Sequence, residues 1–225
     1  MKNLIITIDG PAGAGKTDTA GMVGKKLNLI HYNSGYTYRA ITFALIKNNL
    51  INYEYDSDKV RSFIRQINIK NIGNEVLLDC EKITDQLKSK EVDAFVPKVS
   101  KVAYIREKAK EILLEFATSG VGLVVEGRDI GTVVLPNADV KIFLTASLEI
   151  RALRRFDQTA NSSYEDVFKG IKERDNIDTT REIAPMKIPE NGFIVDNSYL
   201  TKSETAEQIV GITRGLMNIK SLDEE

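Results

Sequence analysis

A short apolar run, Leu4-Ile5-Ile6-Thr7-Ile8, ends at Asp9. The next eight residues, Gly10-Pro11-Ala12-Gly13-Ala14-Gly15-Lys16-Thr17, fit the pattern G-x-x-x-x-G-K-[ST]. Such a run marks a strand buried on both faces, and strands of that kind belong to parallel sheets. The small residues after it let backbone N–H groups curl around phosphate oxygens, and a helix starting at about Lys16 aims its positive end at them. In that arrangement Lys16 reaches the β- and γ-phosphates of a nucleoside triphosphate, and the Thr17 hydroxyl ligates Mg2+. Gly10 through Asp18 are therefore the residues expected to meet a donor such as ATP. The bland alternative is a glycine-rich turn before an ordinary helix, and the strand–turn–helix setting speaks against it.

Strand and helix alternate through most of the chain. A helix is expected from about Lys16 to Leu27, a short strand near Leu29 to Tyr32, and a helix from near Tyr36 to Asn48. Apolar runs at Val121 to Val125, Val140 to Leu144 and Phe193 to Val195 read as buried strands. Helical stretches fall at about 91–118, 147–157, 163–175 and 203–218. Alternation of this kind builds a parallel sheet covered by helices on both faces. One segment departs from it. From Ile67 to Leu87 the pattern alternates around a Gly73-Asn74 turn, as in a small antiparallel sheet, so 60–98 reads as a lobe inserted into the α/β core. The polar stretch 157–163, bracketed by Arg154, Arg155 and Arg174, reads as either a plain loop or a lid.

Composition narrows the partners. The 225 residues carry a formal net charge of -1, which supplies no global field for a nucleic-acid polymer or an acidic membrane. One cysteine, Cys80, excludes an internal disulfide and a cysteine-rich metal site, and Cys80 with the one histidine, His31, supplies no triad. Both read as structural residues. No run has the length of a membrane span and the first residues do not read as a signal peptide, so a cytoplasmic protein is expected.

Several further stretches carry a specific resemblance. They are Asn33-Ser34-Gly35-Tyr36-Thr37-Tyr38-Arg39, Glu126-Gly127-Arg128-Asp129-Ile130-Gly131-Thr132-Val133-Val134, Lys141 to Ser147, Arg151-Ala152-Leu153-Arg154-Arg155 and Lys172-Glu173-Arg174-Asp175. Val76 to Asp79, followed by Glu91-Val92, adds to them in the inserted lobe. With the cradle, these make the chain resemble the bacterial cytidylate kinases from Ile6 to about Asn197. The resemblance implies a P-loop NTPase-type α/β fold, a parallel five-stranded sheet flanked by helices. It implies one domain over 1–225 with 60–98 as an acceptor-binding lobe and 157–163 as a short lid, and a monomer.

The reaction implied is transfer of the γ-phosphoryl group of ATP, with Mg2+, to CMP or dCMP. Physical chemistry agrees. An acceptor phosphate with a second pKa of about 6 is already anionic near neutrality, so its oxygen attacks without a protein base. Catalysis then consists of aligning two phosphates and covering their charge. The resemblance assigns Lys16, Arg128, Arg154 and Arg155 to catalysis. It puts Arg39, Arg128 and Arg181 on the acceptor phosphate, Arg174 and Asp178 on the ribose, and Asp129 with Ser34 on the cytosine ring. Tyr38, Ser100 and Arg106 are further acceptor contacts. Glu126 is a candidate for Mg2+ through water, a structural acid being the alternative.

Asn33 stands where the family usually has aspartate, and Ile177 where many members have arginine. An ungapped reading places Ala109 at a base-contacting arginine, whereas a shifted one supplies Arg106. Two other readings therefore stay open: a P-loop kinase for a different small acceptor such as UMP, and a degenerate nucleotide-binding regulator.

Overall fold

The structure, a computed structural model, describes residues 3–72, 75–158 and 162–223, apart from the side chains of 219–223. In chain order the strands are β1 (Ile5–Asp9), β2 (Ile30–Asn33), β3 (Ile69–Ile72), β4 (Glu75–Leu78), β5 (Glu81–Lys82), β6 (Leu123–Gly127), β7 (Val140–Thr145) and β8 (Phe193–Asp196). The α-helices are α1 (Lys16–Leu27), α2 (Ser34–Lys47), α3 (Asp58–Gln66), α4 (Lys90–Val99), α5 (Ala103–Ala117), α6 (Leu148–Phe156), α7 (Tyr164–Thr180) and α8 (Lys202–Asp223). A five-stranded sheet runs β2-β6-β1-β7-β8, and a three-stranded sheet runs β3-β4-β5. The chain divides into two compact units, 1–29 with 122–225, and 30–121.

In the first unit β1 lies between β6 and β7, parallel to both, with Asp9 opposite Gly127 on one side and Phe143 on the other. β8 continues the sheet parallel to β7. Ile6, Ile8 and Ile142 lose all contact with water, which is why the run reads as apolar without alternation. Ala20 and Val23 of α1 and Ile209 and Val210 of α8 close over one set of these side chains. Truncating a buried isoleucine in such a cluster costs about 2–5 kcal/mol. Because all these strands point the same way, their carboxyl ends deliver Asp9, Gly127 and Thr145 to one edge, the edge where open α/β sheets bind ligands.

The second unit is built around a core of Ile41, Leu45, Ile64, Ile83, Leu87 and Ile105. Its antiparallel sheet pairs Ile69 with Leu78 and Ile72 with Glu75, and the Gly73-Asn74 turn lies outside the described residues. Ile69 and Asn71 face inward while their neighbours are exposed, the alternation of a half-buried strand.

Two helices differ from expectation. The stretch 91–118 is two helices, α4 and α5, separated by Ser100 to Val102. Pro97 removes a backbone donor from the last turn of α4, and Val102 takes an extended conformation as the N-cap of α5. Apolar periodicity runs through both, which hides the break. Helix α7 reaches Thr180 rather than 175, and so carries Asp178 and brings Arg181 to its end. Of the expected 157–163 lid, 159–161 lie outside the described residues.

Candidate active site

At Gly10 and Gly13 the cradle leaves no room for a side chain. Gly10 has φ 151°, and a Cβ there would come within 2.0 Å of the Leu144 carbonyl oxygen on β7. Helix α1 then starts from Gly15, in a left-handed conformation and with no side-chain cap. Its first-turn N–H groups are thereby presented to an anion instead of a capping oxygen. Lys16 is buried and folds back to donate to the carbonyls of Gly10 (2.8 Å) and Pro11 (2.6 Å). Burial, then the nearby Arg128, hold its ammonium well below the usual lysine range, with Glu126 pulling the other way. An arriving triphosphate supplies the counter-charge this ammonium is short of.

Thr17 donates its hydroxyl to Glu126 Oε2 across 3.0 Å, so the first turn of α1 and the end of β6 place a hydroxyl and a carboxylate side by side. The Asp18 carboxylate is instead exposed and paired with Lys202 of α8 at 2.5 Å.

At the end of β6 the side chains form a chain of alternating charge. Arg128 Nε donates to Asp178 Oδ2 (2.8 Å), the other Asp178 oxygen lies 3.6 Å from Arg181, and Arg181 donates to Asp129 Oδ1 (2.8 Å). Arg181 is also anchored to the Ala184 carbonyl at 2.6 Å. Arg128, Asp129, Asp178 and Arg181, expected at one site from residues about 50 apart in sequence, do come together. Arg174 is exposed on α7 and close enough to Lys16 to lower that group's pKa. Arg154 is held by Asn197, through its side-chain oxygen (2.9 Å) and its carbonyl (2.7 Å). Asn197 in turn donates to the cradle carbonyl of Ala14 at 3.0 Å. Arg155 lies one residue further on and is exposed.

Two residues of this unit were not singled out by the sequence. Asp9 is buried, and its two oxygens accept from the N–H groups of Ile130 (2.9 Å) and Gly131 (2.7 Å), fixing the π-helical turn Ile130–Val134 behind Asp129. Burial pushes its carboxyl up to about 6, against the opposing pull of those N–H groups. An acid closing an otherwise apolar strand was the available signal. Asn197 carried none, being one polar residue in a polar turn.

The second unit holds the remaining expected residues. Ser34 opens α2 and is buried. Arg39, one turn along, donates to the Leu87 carbonyl (2.7 Å) and to Asp93 (2.5 Å). Arg106 is buried, donates to the Ser100 carbonyl (3.2 Å) and lies over the Tyr38 ring with its guanidinium 5.7 Å from the centroid. Ala109 lies in the apolar core of the unit. Asn33 uses its carbonyl to accept from Asn71 at 2.7 Å.

A phosphate cradle between a buried parallel strand and an uncapped helix, with its lysine in place, defines a P-loop nucleotide-binding protein. The cytidylate kinase family model matches residues 6–214. A cytidylate kinase of Clostridium botulinum (strain Langeland) is 37% identical over 95% of this chain and 99% of its own. One of Flavobacterium johnsoniae is 37% identical over 97% and 100%. The chain belongs to the cytidylate kinase family, and with it to the ATP-dependent nucleoside monophosphate kinases. Among solved structures, an uncharacterized protein from Eubacterium ventriosum (TM-score 0.55, 11% identity, 95% of this chain and 99% of that one) shares the fold. So does TT1252 from Thermus thermophilus (TM-score 0.51, 15% identity, 94% and 96%).

Proposed function

We propose that this enzyme transfers the γ-phosphoryl group of ATP to CMP or dCMP, giving ADP and the nucleoside diphosphate. The observation that carries the reading is the Arg128–Asp178–Arg181–Asp129 chain, a ready set of cations and carboxylates at the same sheet edge as the cradle. An acceptor phosphate oxygen forms the new bond to the γ-phosphorus, and the bond to the β,γ-bridging oxygen breaks as ADP leaves. Arg39, Arg128 and Arg181 bind the acceptor phosphate, and Arg174 and Asp178 hold the ribose. Asp129, with Ser34, recognises the base, and Tyr38, Ser100 and Arg106 are further acceptor contacts. A carboxylate accepts from the exocyclic amine of cytosine and opposes the carbonyl that uracil presents instead. Of the two alignments, the burial of Ala109 in the core and the position of Arg106 beside Ser100 favour Arg106.

Lys16 binds the β- and γ-phosphates, while Arg154 and Arg155 cover the transferring group. The Thr17 hydroxyl and the Glu126 carboxylate are hard oxygen donors of the kind Mg2+ takes while keeping most of its water. Mg2+ there would neutralise charge on the donor phosphates. The segment 60–98 serves as the acceptor-binding lobe and 157–163 as the lid. The enzyme works as a monomer in the cytoplasm. Among the described residues no helix is long and apolar enough to cross a membrane.

The test is ADP release with CMP, dCMP, UMP, AMP and dTMP offered side by side. CMP and dCMP are expected to lead. Equal inactivity on all five, with ATP still bound, would establish a regulator instead.

A further inference from the structure

Arg151 and Asp175 both fall inside the family-like motifs, yet the chemistry above uses neither. In the first unit they form one largely buried ion pair that grips the tip of the cradle. Asp175 Oδ1 accepts from the Ala12 N–H at 3.0 Å, and its other oxygen pairs with Arg151 Nη1. The same Nη1 donates to the Ala12 carbonyl at 2.9 Å, while Arg151 Nε donates to the Ala146 carbonyl at 2.9 Å. Both backbone groups of Ala12 are thus held by one pair of side chains, 139 and 163 residues away in sequence. The contact is close as well as polar. A Cβ on Gly13, where φ is 76°, would stand 2.8 Å from the Arg151 carbonyl oxygen. Ala12 also packs with Ala152 of α6 and Ile171 of α7.

The helices joined in this way are those that carry the other cations. Arg154 and Arg155 follow Arg151 by about one turn of α6, and Arg174 is the neighbour of Asp175 on α7. A glycine-rich loop has much conformational freedom to lose, and anion-binding donors act best when they are already in position. We propose that the Arg151–Asp175 pair is a positioning device for the donor triphosphate. It fixes the cradle before ATP arrives and keeps the arginines of α6 and α7 in register with it. The proposal rests on the cradle holding the donor phosphates.

Removing one partner strands the charge of the other, whereas replacing both with apolar side chains removes that charge and leaves the Ala12 and Ala146 backbone groups without these partners. This separates positioning from a merely structural role. The experiment measures the Kd for ATP by calorimetry, the KM for CMP and the Tm in wild type, Asp175→Asn and the double variant Arg151→Met/Asp175→Leu. The expected result for Asp175→Asn is ATP binding weakened about 10–100-fold, with the KM for CMP within about twofold of wild type. In the double variant the Tm lies above that of Asp175→Asn while the ATP affinity does not recover. ATP affinity unchanged in Asp175→Asn, or returning together with the Tm in the double variant, overturns the proposal. A wild-type chain that binds no ATP overturns the reading of the cradle, and this proposal with it. Amide exchange supplies a check on the native protein. Without nucleotide, the Ala12 N–H is expected to exchange at least about a hundredfold more slowly than an open peptide. Unprotected exchange at Ala12 overturns the brace.

Discussion

Arg181 and Asp129, 52 residues apart, meet at 2.8 Å with each side chain only 7% exposed. With Arg128 and Asp178 they form a set of two cations and two carboxylates that neutralise one another. If the acceptor nucleotide binds there as proposed, it must exchange into an existing set of ion pairs, and its affinity is the difference between two well-paired states. That favours discrimination over tight binding, because a wrong base breaks a pair without replacing it.

Asp129→Asn should therefore relax base choice. The ratio of kcat/KM for CMP over UMP is expected to fall at least about tenfold, measured by ADP release with both acceptors. Unchanged selectivity would remove Asp129 from base recognition. Arg181→Met leaves Asp129 buried without its nearest cation. Stability is expected to drop by about 3 kcal/mol in denaturant unfolding, with a raised KM for CMP.

Lys16→Met removes the buried ammonium without much change in volume. Turnover is expected to fall by about a hundredfold to a thousandfold or more while the fold persists. Wild-type rates in that variant would end the cradle mechanism.

Thr17→Ala and Glu126→Gln each take away one of the paired oxygen donors. The Mg2+ concentration needed for half-maximal rate is expected to rise about 10–100-fold in either variant. A change in kcat at unaltered Mg2+ dependence would instead make Glu126 a structural acid.

Asp9 gives a pH signature. Its carboxyl is raised from 3.8 to about 6 in the folded protein, so the native state binds a proton more tightly than the unfolded chain. Its contribution to stability is fully present below pH 3.8 and is lost as pH rises through about 6. Relative to Asp9→Asn, the wild-type protein should gain stability as pH falls across that window. Carbon-13 NMR of the Asp9 carboxyl should show a midpoint near 6. A midpoint near 3.8 would mean that the turn holding Asp129 is open to water.

What could be read beforehand followed sequence distance. The cradle is legible because phosphate binding by backbone N–H groups requires consecutive residues, and Arg128-Asp129 because the two are adjacent on the end of one strand. The supports behind them are not local. Asp9 reaches residues 121 and 122 positions away, and Asn197 reaches Ala14 across 183. Each is an ordinary polar residue whose partner only the fold supplies. Helix ends suffered similarly. Nothing in the periodicity of 91–118 marks the break at Ser100, which depends on Pro97 and the extended backbone of Val102. Arg106 and Ala109 both lie on α5, and three-dimensional packing separates the residue beside Ser100 from the one in the core.

Asn197 joins Arg154 to the cradle carbonyl of Ala14 from just beyond β8, near the far end of the chain. Synthesis by the ribosome proceeds from the N-terminus, so the cradle is made 183 residues before this support. A nascent chain stopped short of residue 197 would display the complete signature of a nucleotide-binding protein without the finished geometry. The hydrogen bond from Asn197 to Ala14 is therefore a late addition to a loop already made 183 residues earlier.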